Sequence, residues 1–238
     1  MIMKNISNIL FLLILYSTEN AFGQYTIAGM HGTQDYYFDI VPDTTITAPQ
    51  NVGGIHTFTY ELDVNNDAIK DFILNVTIDD GGNWYHYEIC SITPLNNNQV
   101  AYWGLDSCFS SIICPPSYFY YSIQMANALS AGDTINKNNI WISSSAYLAH
   151  SHWAAYLPDA CGYSCDGTTF PSTSKYLGLK VFIPNDTLYG WILVKSVAPN
   201  KITIQEYACN THSISNVENY PIKSSIIIYP NPSNLNYS

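Results

Sequence analysis

The stretch Asp63-Val64-Asn65-Asn66-Asp67-Ala68-Ile69-Lys70-Asp71 puts oxygen-bearing side chains at its first, third, fifth and ninth positions, with the Ile69 carbonyl at the seventh. Ca2+ requires that pattern: several hard oxygen donors, some of them carboxylates, converging from alternate positions of one turn. Asp and Asn also favour turns without any metal, so an Asx-rich turn with solvated carboxylates is the competing reading. Three aspartates in so short a stretch of a chain with only 11% charged residues favour the cation. The expected role of Ca2+ is structural, tying the flanking strands together and making stability depend on the ion.

The loop resembles the Asp-x-Asn-x-Asp-Gly-x-x-Asp loops of integrin-type FG-GAP repeats and related extracellular calcium modules, which also sit between strands. It departs from them at Ala68, where those loops carry Gly for the sharp turn. Leu74 cannot supply the carboxylate that closes an EF-hand, so the loop is not one.

Other chemistry-bearing residues are sparser. His150 and His152 would project to one face of a strand, a metal-compatible placement, but Trp153 and Tyr156 beside them fit an aromatic patch equally well, and no metal is assigned there. Cys161 and Cys165 have ligand-like spacing for zinc, against which an oxidising compartment favours disulfides. Asp39 and Asp43 could act as an acid–base pair or add calcium ligands, but Pro42 between them suggests a strand end with solvated carboxylates. Glu61, Glu88 and Glu206 fall within strand patterns and would suit a glycosidase if they met across a cleft. The chain contains no Gly-x-Ser-x-Gly elbow, His-Glu-x-x-His helix or phosphate-binding loop, and no catalytic residue is assigned.

The elements that must position these residues lie between two unusual ends. Lys4 and the apolar run Ile9 to Leu15, followed by Ala21-Phe22-Gly23, have the three parts of a signal peptide over residues 1–23. No later segment is long and apolar enough to span a bilayer, so no membrane span is expected once the signal is removed. Six cysteines remain, an even number that implies disulfides in an oxidising compartment. Cys108 with Cys114 and Cys161 with Cys165 are close enough to staple their own loops, leaving Cys90 to meet Cys209, although sequence alone cannot fix connectivity.

At the far end, Ser225 to Tyr229 is an apolar strand running into Pro230-Asn231-Pro232. Tyr-Pro-Asn-Pro after a first strand resembles the opening of the C-terminal sorting domain of Bacteroidetes type IX secretion cargo. The resemblance implies secretion or display on the outer cell surface, with the secretion machinery as a partner of this segment. Tyr189-Gly190-Trp191-Ile192 and Ile204 to Ala208 add strand-level similarity to such cargo, in which Tyr-Gly-Trp sits in a penultimate core strand. The expected organisation is a signal peptide (1–23), a β-sandwich domain (24–209), a polar linker (210–223) and a truncated start of the sorting domain (224–238).

Between the ends, short β-forming runs separated by Asn, Gly and Pro breakers predict strands near 35–40, 56–62, 71–78, 84–92, 99–105, 118–124, 140–143, 176–183, 188–197 and 202–208. Asp79 to Asn83 reads as a hairpin connection. Residues 122–129 and 146–157 are the two helix candidates, the first through Met125, Ala126, Ala128 and Leu129. The fold class expected is all-β, an antiparallel β-sandwich of jelly-roll or lectin-like type with few short helices. A net charge of −10 and a basic set consisting of Lys alone exclude nucleic acid as a natural partner. Twenty Tyr and five Trp suit a binding or adhesion surface for a glycan or a surface protein. A secreted hydrolase acting on polysaccharide is the alternative.

Overall fold

A computed structural model describes residues 25–49, 53–82, 85–111, 118–156, 161–170 and 173–211. The signal-peptide segment, most of the linker and the Tyr-Pro-Asn-Pro motif lie outside these residues. Among the described residues the chain forms strands only: β1 (Tyr25–Ile27), β2 (Tyr36–Thr47), β3 (Gly54–Leu62), β4 (Phe72–Asp80), β5 (Tyr85–Pro94), β6 (Gln99–Ser111), β7 (Tyr118–Ala126) and β8 (Ala128–Leu129). There follow β9 (Thr134–Asn136), β10 (Trp141–Ile142), β11 (Ala146–Tyr156), β12 (Cys161–Thr168), β13 (Lys175–Ile183), β14 (Asp186–Ala198) and β15 (Lys201–Cys209).

One large sheet runs in the order β2-β15-β14-β13-β6-β7-β11-β5-β4-β3, with β10 added to β6, β12 to β11 and β8 to β13, while β1 and β9 make a separate ribbon. The pairings are antiparallel except for β11 with β7, which touch in parallel at Tyr147 and Met125. In β4, buried Phe72, Leu74, Val76 and Ile78 alternate with half-buried Ile73, Asn75 and Thr77, so one face of the sheet is apolar and must be covered. The cover comes from the other end of the strand order: Ile46, Leu179, Ile192 and Ile204 share one core with Leu74 and Val76. The sheet therefore folds over and packs its two halves face to face, a mostly antiparallel all-β sandwich. Each such side chain contributes about 1.5–3 kcal/mol by leaving water.

Every strand expected from the sequence is present. The hairpin at 79–82 is present too: Asp80 pairs with His86, the Gly81 N–H donates to the Tyr85 carbonyl at 2.9 Å, and Gly82 takes the positive φ that the turn demands. Asn83 lies outside the described residues.

Three expectations require correction. Residues 122–129 and 146–157 are not helical: the first covers the end of β7 and all of β8, and the second is β11 as far as its described residues extend. Strand β11 is paired on one side with β5 and on the other with β12, and these ladders satisfy its backbone groups whatever the helix propensity of its alanines and leucine. A register shift between Tyr147 and Ala149 also breaks the alternation that would have marked it as a strand.

Pro42 does not end its strand. The Val41-Pro42 bond is cis, and β2 continues through it to Thr47. Proline is tolerated because β2 is an edge strand and its ladder with β15 shifts register there, between Ile204 and Glu206. Asp43 is not simply solvated, since its Oδ2 accepts from Lys195 Nζ at 2.6 Å and from Gln205 Nε2 at 3.2 Å.

Cys90 and Cys209 do not bridge; both are free thiols buried in the core. They sit on β5 and β15, with β14, β13, β6, β7 and β11 between those strands in the sheet order.

A second core cluster fastens the β1–β9 ribbon to the main sheet. Ala28, Leu129 and Ile135 pack there with Tyr189, Trp191 and Ala208. Gly190 is required between the two large rings, because a Cβ would stand 2.5 Å from the Ala208 carbonyl oxygen.

Candidate functional site

The Asp-rich segment forms the connection between β3 and β4, and its first aspartate organises it. Asp63 accepts the Asp67 N–H on Oδ1 at 3.2 Å and the Ala68 N–H on Oδ2 at 2.8 Å. Asp67 Oδ1 accepts the Ile69 N–H at 2.8 Å, and the Asn65 amide donates to Asp67 Oδ2 at 3.0 Å. Asn66 and Ala68 adopt left-handed backbone, with φ of 60° and 68°. Asn tolerates that conformation, but alanine pays about 1–2 kcal/mol for the clash of its Cβ. Ala68 stands at the sixth position, where a calcium loop turns sharply and normally uses glycine.

That strain gives a direct test. Ala68→Gly is expected to stabilise the protein by roughly 1 kcal/mol, after subtracting the extra freedom glycine has when unfolded. In a domain of this size the unfolding midpoint should rise by about 2–4 °C. A lowered midpoint on thermal unfolding would mean that the backbone at 68 is not left-handed.

Asp71 closes the loop from inside. It is 3% exposed, Oδ2 accepts the Val64 N–H at 2.9 Å, and Oδ1 accepts from the Asn98 amide at 3.0 Å. Asn98 in turn accepts the Phe182 N–H at 2.9 Å, so the loop, the β5–β6 turn and β13 share one buried polar link. Burial pushes the Asp71 carboxyl up to about 6, aided by repulsion from Asp67 and Asp63 and opposed by the bonds from Val64 and Asn98. The geometry thus gathers Asp63, Asn65 and Asp67 with the Ile69 main chain in one exposed turn and places Asp71 beneath it. Among the described residues, no group of three or more His, Cys, Asp or Glu side chains is arranged to hold a metal ion.

The remaining residues singled out in the sequence are spread over the sheet. Glu61 is exposed on the edge strand β3. Glu88 is buried on β5, with His86 Nε2 3.3 Å from its Oε1 but outside hydrogen-bonding geometry. Glu206 on β15 accepts the Tyr37 hydroxyl at 2.5 Å. Asp39 pairs in register with Glu206, across β2 and β15. Cys165 is disulfide-bonded, while the side chains of Cys108, Cys114 and Cys161 lie outside the described residues.

His150 and His152 both lie on β11. His152 stands edge-on to Tyr87, and burial followed by the neighbouring His150 lowers its pKa. His150 is 2% exposed, and its Nε2 lies 3.2 Å from Asp106 Oδ2.

That contact leads to a feature the sequence did not reveal. At its start β11 meets β7, but from Ala149 onward β12 takes that side. Where the two neighbours part, a cleft of about 590 Å3 opens, lined by Trp103, Asp106, Asn127, Asp166, Thr168 and Thr169 among others. Trp103 is 60% exposed. The only sequence hint was Tyr102-Trp103-Gly104, a large ring next to a glycine at an irregular point of β6, where the ladder with β7 shifts register. No family model, curated protein or solved structure matches this chain.

Proposed function

We propose that this chain is an exported, calcium-stabilised binding or adhesion module, carried by type IX secretion to the cell surface or the medium. The observation that carries the reading is the Asp63 carboxylate capping the Asp67 and Ala68 N–H groups. These caps and the Asn65–Asp67 bond order the turn through hydrogen bonds of its own, so a bound cation need supply little ordering energy. In this reading Ca2+ takes its oxygens from Asp63, Asn65, Asp67, the Ile69 carbonyl and Asp71, and it relieves the mutual repulsion of the three carboxylates. Export is supported by the apolar leader, by the disulfide at Cys165 and by the Tyr229 to Pro232 motif. A second reading, a secreted hydrolase acting on polysaccharide, draws on Asp106 and Asp166 lining one cleft beside Trp103.

Thermal unfolding with excess CaCl2 and with a chelator tests the proposal. Saturation at a hundred times the dissociation constant adds about 2.7 kcal/mol, a rise in midpoint of several degrees. The rise should vanish in the double variant Asp63→Ala, Asp67→Ala. Equal midpoints for the parent protein in both buffers would sink the calcium assignment.

A further inference from the structure

The cleft between β7 and β12 contains an acceptor that the protein holds in place from behind. His150 is buried, and its Nδ1 has no hydrogen-bond partner among the described residues. An unmet buried lone pair costs less than a carboxylate facing a bare ring nitrogen, so the proton belongs on Nε2, donated to Asp106 Oδ2. Asp106 is itself part-exposed, with a side-chain accessibility of 36%, and lines the cleft. The contact with His150 restrains this carboxylate at the cleft wall.

Gly167 keeps this arrangement open. It pairs with His150 across β11 and β12, and a Cβ there would collide with both Asp106 Oδ2 and His150 Nε2. The cleft thus combines three independently observed parts: an exposed indole, a carboxylate oriented by a buried imidazole, and a strand position without a side chain. Its volume lies within the range of small-ligand sites.

We propose that the cleft is a carbohydrate-binding subsite in which a neutral sugar ring stacks on Trp103 and donates hydroxyls to Asp106. The chemistry selects that ligand class. Among the described residues no Lys lines the cleft, Asp106 and Asp166 do, and the chain has no Arg, so anionic ligands find no counter-charge there. Among the described lining residues Trp103 supplies the aromatic ring, an exposed face on which a sugar ring can stack. The Asn127 amide adds a donor and an acceptor, suited to a ring that carries apolar C–H groups on one face and hydroxyls around its edge.

The inference rests on the binding-module reading and is tested separately from its calcium half. The protein is run in native gels containing soluble neutral polysaccharides of different linkage: a β-1,4-glucan, a β-1,3-glucan, a xylan, a mannan and an α-glucan. At least one should retard it. Trp103→Ala removes an exposed ring and Asp106→Asn keeps the side-chain shape; each should weaken retardation about tenfold or more, the loss of a central contact. Phe182→Ala, which truncates an exposed ring on β13, should not change it.

Retardation that survives both cleft substitutions would overturn the cleft assignment and leave glycan binding elsewhere on the sandwich. No retardation by any polysaccharide would overturn the cleft together with glycan recognition, while the calcium reading would still stand or fall on its own melting curves.

Discussion

Replacing Trp191 with alanine should cost about 3–5 kcal/mol, a large share of the 5–15 kcal/mol that separates a typical domain from its unfolded chain. The side chain is 1% exposed. Its indole Nε1 donates to the Met30 carbonyl at 2.9 Å, and its ring meets Tyr176 edge-on, with centroids 5.2 Å apart. Truncation removes the largest fully buried side chain among the described residues, leaves a cavity, and strips the Met30 carbonyl of that bond. The midpoint should fall by roughly 10 °C or more on thermal or urea unfolding. Because Trp191 packs with Ala28 and Ile135, amide exchange in β1 should accelerate further than exchange in β4, whose core face lies in the other cluster. Trp191→Phe should recover most of the loss, keeping the apolar ring and forfeiting one hydrogen bond worth about 1 kcal/mol. An alanine variant that melts within two or three degrees of the parent would show that this cluster does not secure the fold.

Cys90 and Cys209 should resist alkylation in the native protein and react promptly once it unfolds. They are 0% and 1% exposed, and burial pushes both thiols far above the ordinary cysteine range, so no reactive thiolate forms at neutral pH. Reaction then requires opening of the core, which slows labelling by at least about a thousandfold. Iodoacetamide at pH 8, followed by peptide mapping, should find both cysteines unmodified in buffer and both modified in guanidinium without reductant. The second condition is the decisive one. A Cys90–Cys209 disulfide would leave both peptides unlabelled after denaturation, whereas free buried thiols are labelled. Fast labelling in the native state would contradict their burial instead.

The strand positions of this protein were far easier to read than its sites. Val76, Ile78 and Ile92 alternate with polar or half-buried neighbours, and one buried face on an antiparallel sheet writes that period into the sequence. Strand β11 escaped because Ala146, Leu148 and Ala149 are good helix formers and the bulge at Tyr147 disturbs the period; only its two partner strands decide the outcome. The Asp-rich segment was legible as a turn between two strands because its residues are contiguous.

The cleft was not legible. Asp106 and His150 are 44 residues apart and have no characteristic spacing. Their meeting depends on where β7 yields its place beside β11 to β12, which is a property of the whole sheet. Likewise Asp43 looked solvated because Lys195, its partner, lies far along the chain. Pairing Cys90 with Cys209 by elimination failed for a related reason: an even number of cysteines carries no information about which of them the core will enclose.

The placement of β2 beside β15 also sets an order of events in time. Strand β2 begins at Tyr36, yet its ladder partner in the large sheet spans Lys201 to Cys209. A chain that emerges from a ribosome or a translocation channel with its amino end first must hold β2 unpaired until almost the whole domain has appeared. The β4–β5 hairpin can close early, but the sandwich cannot seal until the last strand arrives. During vectorial emergence the domain is therefore an open sheet with a waiting edge, exposed to whatever chaperone or channel accompanies it.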